Sequence, residues 1–198
     1  KGEVLFEGRP VRINSPAEAI NLKIGMVHQE FMLVPSLTVS ENMMLREEPK
    51  KGIFINRAKA VEETRRIARM YQLPIDPDTR VEDLPVGMKQ RVEILKALYR
   101  DCKVLVLDEP TAVLTPAESD QLCCAIRHIT EKGRSVIFIS HKLREVIQIT
   151  DRVTVIRDGK YIGTVDTKDA TQLTLAQMMV GRPVSSERKE RPCFTDKE

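Results

Sequence analysis

Two adjacent carboxylates, Asp108 and Glu109, follow directly on the apolar run Val104-Leu105-Val106-Leu107. Such a run predicts a buried strand, and a carboxylate pair at its carboxyl end stands where open parallel sheets place their ligands. The chemistry that suits the pair is phosphoryl transfer. One carboxylate holds a hard cation such as Mg²⁺ through oxygen ligands, and the next orients or deprotonates a water. Taken alone, the motif reads equally as a strand ending in a polar turn. One strand and one helix further on, Ile137-Phe138-Ile139-Ser140-His141 repeats the arrangement with an imidazole at its end. Parallel neighbours would carry His141 close to Asp108 and Glu109. Gln29 also closes an apolar stretch, Ile24-Gly25-Met26-Val27-His28. Gly87, within Leu84-Pro85-Val86-Gly87-Met88-Lys89-Gln90, stands at the start of a predicted helix, whose free backbone N–H groups form an anion site. The plainer reading of that segment is a helix N-terminus with a glycine turn.

The elements that must position these residues alternate between strand and helix. Residues 4–7 and 11–14 are expected as short strands around a Gly8 turn, and residues 24–29 as a third. Thr38-Val39-Ser40-Glu41 has capping-box spacing and starts a short helix. Asn56 can cap the next, in which Ala60, Thr64, Ile67, Ala68 and Tyr71 follow the helical period. Met88, Val92, Leu95 and Tyr99 stripe another. Thr115-Pro116-Ala117-Glu118 combines a capping box with proline at the first helical position. Residues 135–140 read as a second buried strand, followed by a helix from about Lys142. Residues 152–157 and 160–165 form a hairpin across Asp158-Gly159, and residues 174–180 a last short helix. The expected class is therefore α/β, with a mostly parallel sheet covered on both faces. The helical stretch from about 38 to 100 is long enough to be a subdomain inserted in that sheet. The polar tail from Arg182, interrupted by Pro183 and Pro192, reads as a linker.

Composition narrows the classes. Of 198 residues, 41% are hydrophobic, enough for a packed core and against disorder throughout. Lys and Arg number 32 against 29 Asp and Glu, a net charge of +3 with no basic block, so electrostatics points to no nucleic-acid partner. Apolar runs such as Val104-Leu105-Val106-Leu107 fall far short of the roughly 20 residues of a spanning helix. The start, Lys-Gly-Glu-Val-Leu-Phe, lacks the features of a signal peptide. Cysteines at 102, 123, 124 and 193 include no C-x-x-C pair, which fits reduced thiols. Cys124 and His128 can share a helix face, but two ligands do not make a zinc site and read as helix-surface residues.

Taken in order, these residues resemble the nucleotide-binding domain of ATP-binding-cassette (ABC) transporters, over about residues 1–182. The resemblance implies a P-loop NTPase-like core with an inserted helical subdomain. In it, Gln29 matches the glutamine loop, residues 84–90 the signature motif, and Val104–Asp108 the Walker B strand. Asp108 takes the magnesium position, Glu109 the catalytic base and His141 the switch histidine, while residues 112–115 fall at the D-loop. Gly25-Met26-Val27-His28-Gln29, Arg91-Val92-Glu93-Ile94-Leu95-Lys96-Ala97-Leu98 and Thr111-Ala112-Val113-Leu114-Thr115 are similar to the simple-sugar and nucleoside importer branch. There two such domains are fused in tandem, and the phrases most resemble the first.

What the resemblance implies follows residue by residue. ATP and Mg²⁺ would be bound between two domains facing head to tail, with Asp108 and Gln29 at the metal. Pro85, Val86, Gly87, Met88 and Gln90 would face the nucleotide across the dimer. Glu109 would activate the water and His141 stabilise the transition state. Implied partners are the second nucleotide-binding domain, membrane permease subunits and, indirectly, a substrate-binding protein, with no nucleic acid. The implied location is peripheral, on the cytoplasmic face of the bacterial cell membrane. Residues 31–35 would transmit motion to the permease, or else are ordinary subdomain core. A soluble ABC-type ATPase of translation or DNA repair, and a binding module without catalysis, are the other readings.

The sequence departs from that pattern in three places. The phosphate-binding Gly-x-x-x-x-Gly-Lys-Ser/Thr is absent, and the only Gly-Lys, Gly159-Lys160, has Thr154 and Tyr161 at the flanking motif positions. The expectation is a chain that starts downstream of that loop, is inactive alone, and begins an interdomain linker at residues 183–198. In the signature, Pro85 replaces the usual serine and Val86 a glycine. Thr115 stands where the D-loop has aspartate.

Overall fold

The computed structural model describes residues 2–45, 47–51 and 54–182. Strands β1 (Val4–Phe6) and β2 (Arg9–Val11) pair antiparallel across Glu7 and Gly8, both at positive φ. The second strand was expected at 11–14. The tight two-residue turn pairs Phe6 with Arg9 and so draws the strand forward. The chain then enters a helix absent from the sequence reading, α1 (Pro16–Asn21), where the Ser15 hydroxyl accepts the Glu18 N–H and Pro16 suits the first turn. The alternation of Val11 and Ile13 had concealed that start.

A three-stranded parallel sheet forms the centre, in the order β3 (Ile24–Val27), β6 (Val104–Asp108), β7 (Ser135–Ile139). Between β3 and β6 lie α2 (Val39–Met44), the short antiparallel strands β4 (Lys50–Lys51) and β5 (Phe54–Ile55), α3 (Arg57–Met70) and α4 (Val86–Tyr99). The capping box Thr38/Glu41 starts α2, and the Asn56 side chain accepts the Lys59 N–H to start α3. The helices bury Val39 and Met43, Ile67 and Ala68, and Val92, Leu95 and Leu98 in one core with Leu105 and Leu107 of the sheet. Burial of this apolar surface, more than helix propensity, holds the helices in place. Next come α5 (Pro116–Glu131), which adds Ile126 and Ile129 to that core, and α6 (Leu143–Ile149). The hairpin β8 (Arg152–Arg157) and β9 (Lys160–Asp166) turns on Asp158 and Gly159, with φ of 52° and 71°. The last helix, α7 (Gln172–Val180), ends on left-handed Gly181. The tail expected as a linker, 183–198, lies outside the described residues. Among the described residues no helix is long and apolar enough to cross a membrane.

Strand register sorts the sheet's two faces. Val27, Leu107 and Phe138 are in register, as are Gly25, Leu105 and Val136, and these look into the core. Met26, Val106 and Ile137 look the other way, with Asp108 and Ile139 beside them. Cover on both faces, expected from the apolar strands, is not found among the described residues. Met26, Ile137 and Ile139 are 45%, 52% and 45% exposed. The strand composition answers to two buried faces, whereas the described helices pack on one.

Polar bonds tie the helical stretch to the sheet. Glu93 Oε1 accepts the Met32 N–H at 2.6 Å, and Lys96 Nζ donates to the Met32 carbonyl at 2.9 Å. Arg134, just before β7, donates to the Tyr71 hydroxyl at 2.8 Å, to Asp101 Oδ1 at 2.9 Å and to the Cys102 carbonyl. His128 Nε2 lies 3.1 Å from the Met70 carbonyl at the end of α3. The Arg134 hydrogen bond holds the Asp101 carboxyl below the usual range.

Candidate functional site

The turn after β6 delivers Glu109 in a left-handed conformation, φ 45°, which is unusual for a residue with a side chain. Its N–H donates to the Ile139 carbonyl at 2.9 Å, so the end of β7 fixes the backbone of this residue. His141, two residues past β7, brings Nδ1 to 3.1 Å from Glu109 Oε1. A carboxylate only accepts, so this contact requires a proton on Nδ1 and leaves Nε2 for another partner. Proximity of Glu109 and His141 was expected from parallel neighbouring strands, and the geometry agrees. Asp108 closes β6 half-buried, in register with Ile139 on the uncovered face.

Gln29 lies exposed in a bend two residues past β3. Because Val27 pairs with Leu107, it leaves the sheet at the same end as Asp108 and Glu109. The segment after it alternates: Leu33 packs on the core, while Met32 is 67% exposed. The core reading thus holds for Leu33 and not for Met32.

The signature segment divides likewise. Pro85 and Val86 are exposed, Met88 is half-buried against the core, and Gly87 is buried. A Cβ at Gly87 would meet the carboxylate of Glu118, the flexible end of a side chain on α5, which would have to move aside. Glu118 is held there as a helix cap: Oε2 accepts the Thr115 N–H at 2.9 Å and the Thr115 hydroxyl at 2.7 Å. Those bonds keep its carboxyl below the usual carboxylate range. Gln90 is 3% exposed, and its Nε2 finds no partner among the described residues. It lines a small cavity with Leu73, Gly87, Leu114 and Glu118. Among the described residues the hydrogen bond of the Glu109 side chain runs to His141 and not to this segment. Of the D-loop stretch, Ala112 and Val113 are exposed and Thr115 is the cap of α5.

Among the described residues no cluster of three His, Cys, Asp or Glu side chains could hold a metal ion alone. Asp108 and Gln29 nevertheless lie at the same end of two neighbouring parallel strands, and both have oxygen donors. That set fits Mg²⁺, which keeps several waters and takes its remaining ligands from phosphates. Burial pushes the Cys123 thiol up to about 11 and raises that of Cys102, so neither is a ready nucleophile.

The buried Glu93–Lys96 pair and the Thr111, Lys142 and Glu145 side chains behind Glu109 were missed in the sequence. A signal existed for the first. Glu93 interrupts the apolar run Val92, Ile94, Leu95, and Lys96 stands three residues on, in reach on the same helix face.

The ABC transporter family matches residues 1–112. The nucleoside import ATP-binding protein NupA of Lactococcus lactis is 48% identical over 185 residues, 93% of this chain and 37% of that protein. The guanosine import ATP-binding protein NupO of Bacillus subtilis is 50% identical over 191 residues, 96% of this chain and 38% of that protein. The chain thus spans little more than a third of the length of these curated relatives. A crystal structure of an ATP-binding cassette of an ABC transporter, in its ADP conformation, matches with a TM-score of 0.75 at 24% identity. It covers 92% of this chain and 78% of that one, and shows the fold. With the family match extending over more than half of its residues and the cassette fold behind it, the chain belongs to the ABC transporter family.

Proposed function

We propose that this chain carries the water-activating edge of one ATP site in the ATP-binding subunit of a bacterial ABC importer for simple sugars or nucleosides. The observation that carries the reading is the 3.1 Å contact between His141 Nδ1 and Glu109 Oε1 at the carboxyl ends of adjoining parallel strands. Glu109 is the general base for the attacking water, and the outward Nε2 of His141 faces the charge that develops on the transferred phosphoryl group. Asp108 and Gln29 hold Mg²⁺, which supplies charge neutralisation between the phosphates. Pro85, Val86, Gly87, Met88 and Gln90 form the face offered to the nucleotide of a second domain. The names of NupA and NupO support the solute class.

The domain is residues 1–182, with a moving helical subdomain at about 38–100 and an interdomain linker from 183. Its partners are a second nucleotide-binding domain fused in tandem, permease subunits and, through them, a substrate-binding protein. It sits peripherally on the cytoplasmic face of the membrane. A groove between α2 and α3, with Met44, Leu45 and Ile55 beside Glu41, Arg57 and Asp78, is the surface proposed for the permease contact. Lacking Gly-x-x-x-x-Gly-Lys-Ser/Thr, the chain alone is inactive. The test is Glu109→Gln in the full-length protein. Turnover at this site falls by at least about 100-fold while ATP binding persists. Turnover near the parent rate would remove Glu109 from the role of base.

A further inference from the structure

Behind the Glu109–His141 contact, three other side chains join the same two loops. The Thr111 hydroxyl, on a residue 1% exposed, donates to Glu145 Oε2 at 2.5 Å. Lys142 Nζ donates to the Thr111 carbonyl at 2.6 Å and lies 3.6 Å from Glu145 Oε1. The Lys142 N–H donates to the Ser140 hydroxyl at 3.0 Å. Thr111 is two residues from Glu109, and Lys142 is next to His141. Every bond in this triangle therefore spans, or braces, the gap between the loop after β6 and the loop after β7.

We propose that Thr111, Lys142 and Glu145 are positioning residues that hold Glu109 and His141 at bonding distance and keep the His141 proton on Nδ1. The inference rests on the reading of Glu109 and His141 as the working pair. The physical reason is the exposure of that pair: the His141 and Glu109 side chains are 63% and 31% exposed. An exposed pair pays side-chain entropy to keep one geometry and is weak alone. The Glu145 side chain is only 12% exposed, and the charge-assisted bonds around it are stronger than neutral ones. The rigid triangle thus supplies the order that the exposed pair lacks. None of the three need touch the nucleotide.

The test reads ring ¹⁵N shifts of His141 in the 198-residue chain, with the pH raised until those shifts no longer change. The parent shows mainly the Nδ1–H tautomer, and Glu109→Ala shows mainly Nε2–H. Thr111→Val, which keeps the shape and removes the hydroxyl, lowers the Nδ1–H to Nε2–H ratio about fivefold, the change expected for one net hydrogen bond. Thr111→Ser restores the parent ratio. His28 and His128 report whether each variant is folded. Should Thr111→Val unfold, Lys142→Met, at a half-exposed position, gives the decisive ratio. A folded Thr111→Val or Lys142→Met at the parent ratio overturns the clamp and spares the Glu109–His141 pair. A parent already indistinguishable from Glu109→Ala removes the pair itself, and the clamp with it.

Discussion

Two carboxylate-centred contacts in this chain do opposite work. Glu93 and Lys96, 2.7 Å apart on α4, have side chains only 6% and 15% exposed, and both hold the backbone of Met32. Glu109 and His141, 3.1 Å apart, stand at the open end of the sheet with side chains 31% and 63% exposed. The first pair has its bonding capacity absorbed by the fold. The second is bonded through Nδ1 and Oε1, and both of its side chains keep contact with solvent. A buried pair is costly to break, because the surviving charge has no water to return to. An exposed pair adds little to stability.

The largest effect separating the two comes from Glu93→Leu. It leaves the Lys96 ammonium and the Met32 N–H without their carboxylate and costs about 2–3 kcal/mol in urea unfolding. Adding Lys96→Met recovers most of that loss. A cost of the single variant below about 1 kcal/mol would place the buried pair in the same class as the exposed one. Gly87→Ala comes next. The new methyl displaces the capping carboxylate of Glu118, and the expected cost is about 1 kcal/mol, that of a disturbed helix cap. A neutral result would return the glycine to the phosphate-approach reading alone. Glu109→Gln is smaller again, within about 1 kcal/mol of parent stability, although it removes turnover from the full-length protein. A large destabilisation there would make Glu109 a structural residue and erase the contrast.

The smallest effect is a pH dependence. The Asp101 carboxyl is depressed by the Arg134 hydrogen bond and that of Glu118 by its bonds to Thr115. A depressed folded value means that the unfolded chain takes up protons first. The stabilisation is complete above the ordinary carboxylate range and is lost as the pH falls through the lower folded values. Asp101→Asn should be less stable at neutral pH and flatten the acid limb of a stability profile. An unchanged limb would show that the Arg134 bond is not kept in solution.

The contrast also explains what was legible in the sequence. Asp108, Glu109 and His141 could be found because each ends an apolar strand, and strand neighbours set their meeting point without any knowledge of side-chain packing. Thr111 and Glu145 could not, since their bond spans 34 residues of chain and depends on how α6 lies against the turn after β6. Gly87 was legible as a glycine that something approaches closely. That a carboxylate of α5 approaches it is a tertiary fact. The helix α1 was hidden because its signal, Ser15-Pro16 with Glu18, follows an alternation that mimics a strand. The apolar composition of β6 and β7 implied two covered faces, and only the register shows that Asp108 shares the uncovered one with Ile137 and Ile139.

The proposed role puts Glu109 and His141 at a nucleotide site, while these 198 residues contain no Gly-x-x-x-x-Gly-Lys-Ser/Thr. A calorimetric titration of the 198-residue chain with Mg-ATP tests this directly. The predicted result is no saturable binding below about 1 mM, because the carboxylates and imidazole at the sheet edge lack the loop that grips the phosphates. Binding with a dissociation constant under about 100 µM would contradict it, and would mean that another element of this chain cradles the phosphates.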